Sequence, residues 1–284
     1  MKILTWNVQW CRGIDGRVDP ARIVAEAKRI ADFDVLCLQE VADNFPDPRL
    51  AGNDERDQFA AIAALLPGFE AVPGVAVDHP GEGGRRRRFG NMLLSRLPVR
   101  QVFRWLLPHP LQPNTPWMAR MAVEAVIGAP GGDVRVITTH LEWYSERQRA
   151  AQVEALRRIY ADGHAHASEA RVTTDDGGTF QTFVRPKATV ICGDFNLEHS
   201  SDLHARMIAP FEDGTPALAN AFELLNPGEP YPATFCIHNV MPGYGELHCD
   251  FFFVSPEAAA RVTAWQIDQD TQASDHQPLV LTLA

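Results

Sequence analysis

The chain carries little that would tie it to an oxidising compartment or a membrane. Its five cysteines, Cys11, Cys37, Cys192, Cys236 and Cys249, are an odd set with no C-x-x-C spacing, which suits neither a disulfide framework nor a zinc site. Cys37 and Cys192 lie inside apolar runs and read as reduced core residues. No apolar stretch approaches the roughly 20 residues of a membrane span, and the N-terminus enters a strand-like run at once with no signal-peptide pattern. The expectation is a soluble, cytoplasmic protein with no membrane span; no protein partner is predicted. Positive charge is also scarce, with 26 Lys and Arg against 36 Asp and Glu for a net charge of −10. That balance argues against holding nucleic acid by general attraction to its backbone. It leaves room for a nuclease, because a local basic cluster and a bound cation reverse the sign where it matters.

What the chain does have is a series of short apolar runs that end in, or lead into, polar clusters. They read ILTW-Asn7, VLCL-Gln39-Glu40, VITT-His140, TVIC-Gly193-Asp194-Phe195-Asn196, Asp250-FFFV, and Ser274-Asp275-His276 before PLVLTL. Runs of this length suit strands buried on both faces, and function in open sheets gathers at strand ends. The first cluster is at residue 7 and the last at residue 276, so neither half of the 284 residues owns a complete site. A single catalytic domain over 1–284 is expected.

Between the runs, Asp19-Pro20 reads as an N-cap and first-turn proline, followed by Ile23, Val24, Ala27, Ile30 and Ala31 at helical spacing. Residues 57–66 repeat the helical pattern, and 91–95 and 119–127 read as strands. After His140, Ser145 is expected to cap a helix that points Val153, Leu156 and Ile159 one way. The pattern stops at Gly163, and 163–186 reads as a long loop, with room for a hairpin at Asp176-Gly177-Gly178. A second loop-like stretch, 73–89, carries the run Arg85-Arg86-Arg87-Arg88.

Glu40, Asp194, Asp250 and Asp275 at neighbouring strand ends would repel one another by about 1 kcal/mol per pair even in water-like surroundings, and by several-fold more when partly buried. Such a cluster needs a cation or shared protons. With oxygen and imidazole as the donors nearby and no cysteine pair, Mg²⁺ or Mn²⁺ is favoured over zinc. Asn7 and Asn196 supply neutral amides that orient a carboxylate, a water or a phosphoryl oxygen, and His140 and His276 can donate to developing negative charge. Together these parts suit metal-assisted attack of water on phosphorus.

The motifs TWNVQW, LCLQEV, FGNMLLSRLPV, TTHLEW, GDFNLE, CDFFFVS and SDHQPL, in that order, resemble the endonuclease/exonuclease/phosphatase superfamily nearly end to end. The resemblance implies an α/β fold: a four-layer sandwich of two mixed β-sheets packed face to face, with helices outside and the site at one end. It implies Glu40 as principal metal ligand, with Asn7 beside the metal or phosphate and Asp275 on or near the metal. It implies Asp194 as the residue that orients or deprotonates water and Asn196 as the one that positions phosphate and nucleophile. His276 would contact the phosphate with Asp250 orienting it, and His140 would assist phosphate binding or the leaving group. The implied activity is a divalent-metal-dependent phosphodiesterase or nuclease acting on a phosphate ester, with nucleic acid among its possible partners.

Departures from the family bear on substrate. Gln9 stands where the abasic endonucleases carry an acidic residue, and Cys249-Asp250 is followed by Phe251, unlike the inositol phosphatases. His140-Leu141-Glu142, with Arg147, Gln148 and Leu156, is similar to the tyrosyl-DNA phosphodiesterase 2 branch, but Phe195 stands where that branch usually has threonine. The rival readings are a monoester phosphatase on a lipid or sugar phosphate and a catalytically silent binding module. Arg120 and the run Arg85, Arg86, Arg87 and Arg88 are candidate substrate contacts, although a charge run is ordinarily a solvated loop. Trp10, Trp117 and Trp143 lie near motif ends, where they could line a substrate groove; tryptophans are otherwise core by default.

Overall fold

The first apolar run, a capped helix and the second run form a parallel βαβ unit. In the computed structural model, which describes residues 1–47, 49–53, 55–168, 174–238 and 245–284, β1 (Lys2–Asn7) leads through a 3-10 turn (Gln9–Cys11) to α1 (Pro20–Ile30) and β2 (Val35–Asp43). The Asp19 carboxylate accepts from the N–H groups of Ala21 and Arg22, with Pro20 in the first turn where its missing N–H costs nothing. The chain continues through α2 (Gln58–Leu65), β3 (Glu70–Pro80), β4 (Arg86–Ser95), β5 (Val99–Leu106), β6 (Met121–Ile127) and β7 (Val134–His140). It then runs through α3 (Glu146–Ser168), β8 (Thr189–Asp194), α4 (Asp202–Ile208), β9 (Ala219–Asn220) and α5 (Ala221–Leu225). The last elements are β10 (Asp250–Val254), α6 (Pro256–Ala259), β11 (Val262–Ile267) and β12 (Leu279–Leu283).

The strands build two six-stranded mixed sheets, ordered β11-β12-β1-β2-β4-β3 and β5-β6-β7-β8-β10-β9. Each contains one parallel pair, β1 with β2 in the first and β7 with β8 in the second. Alternate residues of each run enter different cores, which is why the runs are apolar throughout. Ile3, Val35, Cys37 and Leu93 of the first sheet meet Val123, Val136, Val190 and Phe252 of the second. Leu4, Trp6, Leu36 and Leu38 face the other way, onto Ile23, Val24 and Ala27 of α1 and Ile62 of α2. On the far side, Ile137, Ile191, Phe251 and Phe253 pack against Val153, Leu156 and Tyr160 of α3. The layers are therefore helix, sheet, sheet, helix, the sandwich that the resemblance implies. Among the described residues no helix is long and apolar enough to cross a membrane.

Two expected loops are corrected. Residues 73–89 are mostly strand, because β3 and β4 form an antiparallel hairpin from Glu70↔Ser95 to Pro80↔Arg86. Pro73 and Gly74 obscured it in sequence, and a bulge between Val75 and Val77 breaks the alternation. Nor does α3 stop at Gly163; it runs on to Ser168. A Cβ at Gly163 would lie 2.1 Å from the buried Arg135 guanidinium, so this glycine is a packing contact rather than a helix stop. Part of the expected 163–186 loop, 169–173, lies outside the described residues. Beyond it, Thr182 N–H donates to the Thr174 carbonyl around Asp176-Gly177-Gly178, closing a turn without a strand ladder.

Candidate active site

Strand register collects the polar clusters. His140 is the Cα partner of Asp194 across β7 and β8, and Asp250 is the partner of Asp194 across β8 and β10. Asn7 ends β1 beside Gln39 of β2. Backbone irregularities then aim the side chains. Glu40 has φ +62° inside a bulge of β2 opposite β4, and Asn196 has φ +49° just past β8. Gly193 has φ +132°, and a Cβ there would lie 2.0 Å from the Thr139 carbonyl oxygen, so the close β7–β8 approach under the site requires glycine.

Asn7 is the hub of the site. Its Nδ2 donates to Glu40 Oε1 at 3.1 Å and to Asp194 Oδ2 at 2.9 Å, and lies 3.4 Å from His276 Nε2. Asp194 Oδ1 accepts from the Asn196 N–H at 2.9 Å, while its Oδ2 lies 3.4 Å from His140 Nε2 and 3.7 Å from His276 Nε2. The opposite edge of His276 meets Asp250, with Nδ1 to Oδ2 at 2.9 Å. Asp275 accepts from Gln9 Nε2 at 2.5 Å, and the buried Gln9 Oε1 has no partner. The 274–276 loop is held by Ser274 Oγ donating to the Asn7 carbonyl and by Trp6 Nε1 donating to the His276 carbonyl. Asn196 Nδ2 is committed to the Leu141 carbonyl at 2.9 Å. Asn196 therefore meets Asp194 through its backbone.

The electrostatics follow from burial. Burial raises Glu40 above the ordinary carboxylate range, partly offset by the Asn7 amide and His276. It raises Asp194 and Asp275 to about 6 each, against the attraction of His276. Burial works against a charged His276, but Asp250 and Asp194 outweigh it and raise His276 well above the usual histidine range. His140 goes the other way, lowered well below that range by burial and then by Arg120 and His276. One imidazole is thus cationic and the other neutral near pH 7. Arg120 is buried on the approach to β6; its Nε donates to Glu142 at 3.4 Å and its buried Nη1 has no partner.

This donor set fits a hard divalent ion. The partly exposed Glu40 and the buried Asp194 and Asp275, all raised, carry charge that the protein alone does not neutralise, and an unpartnered amide oxygen at Gln9 sits beside Asp275. Cys249 groups with Asp194 and His276 closely enough to suggest a thiolate ligand. Burial and then Asp250 hold its thiol well above its ordinary pKa, and its Sγ lies 3.6 Å from Asp250 Oδ2, so it belongs to the support of the Asp250–His276 pair.

Above this floor opens a pocket of about 420 Å³ that Glu40, Arg120, His140, Asp194, Asn196, Asp275 and His276 all line. Trp10, Trp117 and Trp143 line it too. Gln9, Phe45, Glu142, Tyr144 and Phe235 also line it, and sequence reasoning did not assign them to a site. For Glu142 and Gln9 a signal existed in their place within the motif ends; Phe235 offers none, since it arrives by an isolated bridge to His276. None of Arg85, Arg86, Arg87 and Arg88 lines the pocket. Arg86 pairs with Asp78 at 2.7 Å, Arg88 with Asp43 at 2.6 Å and Asp57 at 3.3 Å, and Arg85 donates to the Glu55 carbonyl.

A separate trio, His199, His204 and Glu223, has the composition of a metal site, but its own contacts account for it. His199 Nε2 meets Glu223 at 2.7 Å, and Asn220 Nδ2 donates to His204 Nε2 at 3.0 Å while its Oδ1 caps α5. The His204 lone pair is therefore already used.

The fold and the residues at its strand ends agree with a match over residues 4–276 to the model of the Endonuclease/Exonuclease/phosphatase family. The chain belongs to this family, whose members are hydrolases of phosphoester bonds, generally dependent on a divalent metal. An endonuclease/exonuclease/phosphatase from Beutenbergia cavernae is similar at 26% identity and a TM-score of 0.67, with 99% of this chain and 70% of that one covered. Two lower-identity structures share the fold. The mannosyl-6-phosphatase of Bacteroides thetaiotaomicron has 15% identity and a TM-score of 0.65 over 100% of this chain and 99% of that one. A D. rerio TDP2 humanized by 14 mutations has 16% identity and a TM-score of 0.62 over 100% and 98%. No curated protein matches the chain.

Proposed function

We propose that the chain is a divalent-metal-dependent phosphoesterase, and more narrowly a phosphodiesterase. The observation that carries this reading is the pocket floor, where the Asn7 amide joins Glu40 and Asp194, Asp275 meets Gln9, and a cationic His276 and an Arg120 with one unpartnered nitrogen stand alongside. Glu40, with Asn7 and Asp275, would hold Mg²⁺ or Mn²⁺. When bound, such an ion neutralises charge at the phosphoryl group as a Lewis acid.

The chain's own groups supply the remaining steps. Asp194, raised to about 6, is matched to accept a proton from water near neutral pH, and the Asn196 N–H and Asn7 amide fix its carboxylate. Water attacks phosphorus in line, the new P–O bond forms as the ester P–O bond breaks, and the departing oxygen leaves as an alcohol protonated from solvent. His276 and Arg120 donate to the phosphoryl oxygens, and neutral His140 supports them without adding charge. A diester brings one negative charge and a monoester nearly two, so an acid-rich floor favours the diester.

The bounded pocket supports a second reading, a monoesterase on a sugar or lipid phosphate, since a long groove is not needed for a small substrate. The test is a panel of bis-nitrophenyl phosphate, DNA, RNA, phosphotyrosyl and phosphoinositide substrates with Mg²⁺ or Mn²⁺. Metal-dependent turnover, faster on diesters than on the matched monoesters, is expected. Inactivity on every member would sink the hydrolase reading, and isothermal titration showing no Mg²⁺ binding would favour a silent binding module.

A further inference from the structure

We infer that the substrate is a compact phosphate ester carrying one flat aromatic or heteroaromatic ring, seated against an aromatic wall while its phosphate occupies the polar floor. The inference rests on the phosphoesterase reading and narrows its substrate.

A chain of packed rings leads away from the reaction centre. Phe235 packs on His276 with centroids 4.6 Å apart, and Trp143 meets Phe235 edge-on at 6.0 Å. At the mouth, Trp117 is 51% exposed and Tyr144 62% exposed. Large aromatic groups left open beside a polar cleft mark a place where something apolar is covered on binding. Trp117 is also pre-oriented, because the His109 ring stacks on one indole face at 4.6 Å and 7° while the indole still lines the pocket. A rigid platform of this kind selects flat groups, since stacking needs a partner plane and an alkyl chain offers none. The volume of about 420 Å³ suits the organic part of a single ester.

Charge around the mouth argues against a polymer. A polynucleotide would need successive free cations along its backbone. Arg49 at the rim is paired with Asp47 at 2.5 Å, and Arg86 and Arg88 are paired with Asp78 and Asp43. Among the described residues that line the pocket, the one buried cationic nitrogen without a partner is Arg120 Nη1, on the floor. One phosphate and one ring satisfy both features.

The test compares methylphosphonate, hexylphosphonate and phenylphosphonate, which share a headgroup that is not hydrolysed, binding to the Mg²⁺-loaded protein by calorimetry. Phenylphosphonate is expected to bind at least about tenfold more tightly than methylphosphonate and clearly more tightly than hexylphosphonate. Trp117→Ala should collapse the phenyl-to-methyl ratio to below about threefold, and Trp117→Phe should restore most of it. Tyr144→Ala is a second variant, with circular dichroism confirming that each protein is folded. Equal affinity for the phenyl and methyl compounds, hexyl binding as tight as phenyl, or a ratio indifferent to Trp117 would overturn the ring site. So would a dodecanucleotide that binds more tightly than phenylphosphonate regardless of Trp117. Ring preference without turnover of any ester would sink the hydrolase reading alone, whereas turnover without ring preference would sink the ring alone.

Discussion

The floor and the wall of the pocket are built by opposite means. Floor residues sit at strand ends, where hydrogen-bond register fixes neighbours: His140, Asp194 and Asp250 are aligned by the β7–β8–β10 ladders. Wall residues come from connections: Trp117 from the segment between β5 and β6, Tyr144 from the residues after β7, and Phe235 from the stretch before β10. The floor is buried and hydrogen-bonded, with Asp194 at 1% exposure, whereas Tyr144 at the mouth is 62% exposed. A rigid scaffold that carries chemistry and loops that carry selection can vary separately. Changes in the floor should therefore alter turnover, and changes in the wall should alter which ester is turned over.

The sharpest separation uses Asp194→Ala. Removing the group proposed to accept the proton of water should lower kcat by about a thousandfold or more, as measured on a small diester. The phenyl-to-methyl phosphonate ratio should persist in the same variant. A large loss of ring preference in Asp194→Ala would show that floor and wall are one unit.

Next in size is the replacement of the principal expected metal ligand. Glu40→Gln keeps the shape and one acceptor oxygen for the Asn7 amide, but removes the charge. The Mg²⁺ concentration giving half-maximal rate should rise by about a hundredfold, with partial recovery of rate at high Mg²⁺. A response unchanged from wild type would remove Glu40 from the metal.

The pH profile separates the histidines. Asp250 and Asp194 raise His276 against the effect of burial, so its cationic form persists until pH rises through that elevated value and is then lost. Asp250→Asn removes the larger of the two attractions, so the pKa falls and the alkaline limb of kcat/KM should move to lower pH. The acid limb belongs to Asp194, whose base form is lost as pH falls through about 6, and should be less affected. An alkaline limb that stays in place in Asp250→Asn would break the assigned partnership.

The same contrast explains what was legible in the sequence. Apolar runs ending in Asn7, Glu40, His140 and Asp194 announce strands, and strands covered on both sides leave their polar residues only at the ends. The four-layer sandwich and the gathering of the floor follow from that pattern and from the ordered motifs. Trp10, Trp117 and Trp143 stood out as groove candidates because they adjoin motif ends. Phe45 and Phe235 were not legible, since loop conformation has no period and an isolated bridge such as Phe235↔His276 leaves no sequence mark. Gly163 misled for a related reason, because it lies in α3 while its neighbour Arg135 comes from β7, and local sequence carries no trace of that contact.

The smallest expected effect concerns Arg85 to Arg88. As a run of like charge it invites a nucleic-acid reading, but in three dimensions three of the four charges sit beside carboxylates, and Arg87 Nε has no partner. Arg88 lies between Asp43 and Asp57, Arg86 is held by Asp78, and Arg85 lies 3.8 Å from Asp43. Exposed pairs of this kind contribute only about 0–1 kcal/mol each. Arg88 is partly buried and holds two carboxylates, so the informative variant replaces Arg85, Arg86 and Arg87 with alanine and leaves Arg88 in place. Turnover of a small ester should change by less than about twofold, and the slope of oligonucleotide binding against salt should stay shallow, because Arg87 alone of the three lacks a carboxylate partner and one cation is not a track. A steep salt dependence in wild type that this triple variant abolishes would mean that the arginines leave their carboxylates to meet a polyanion. The recognition surface would then extend from the wall to the β3–β4 hairpin.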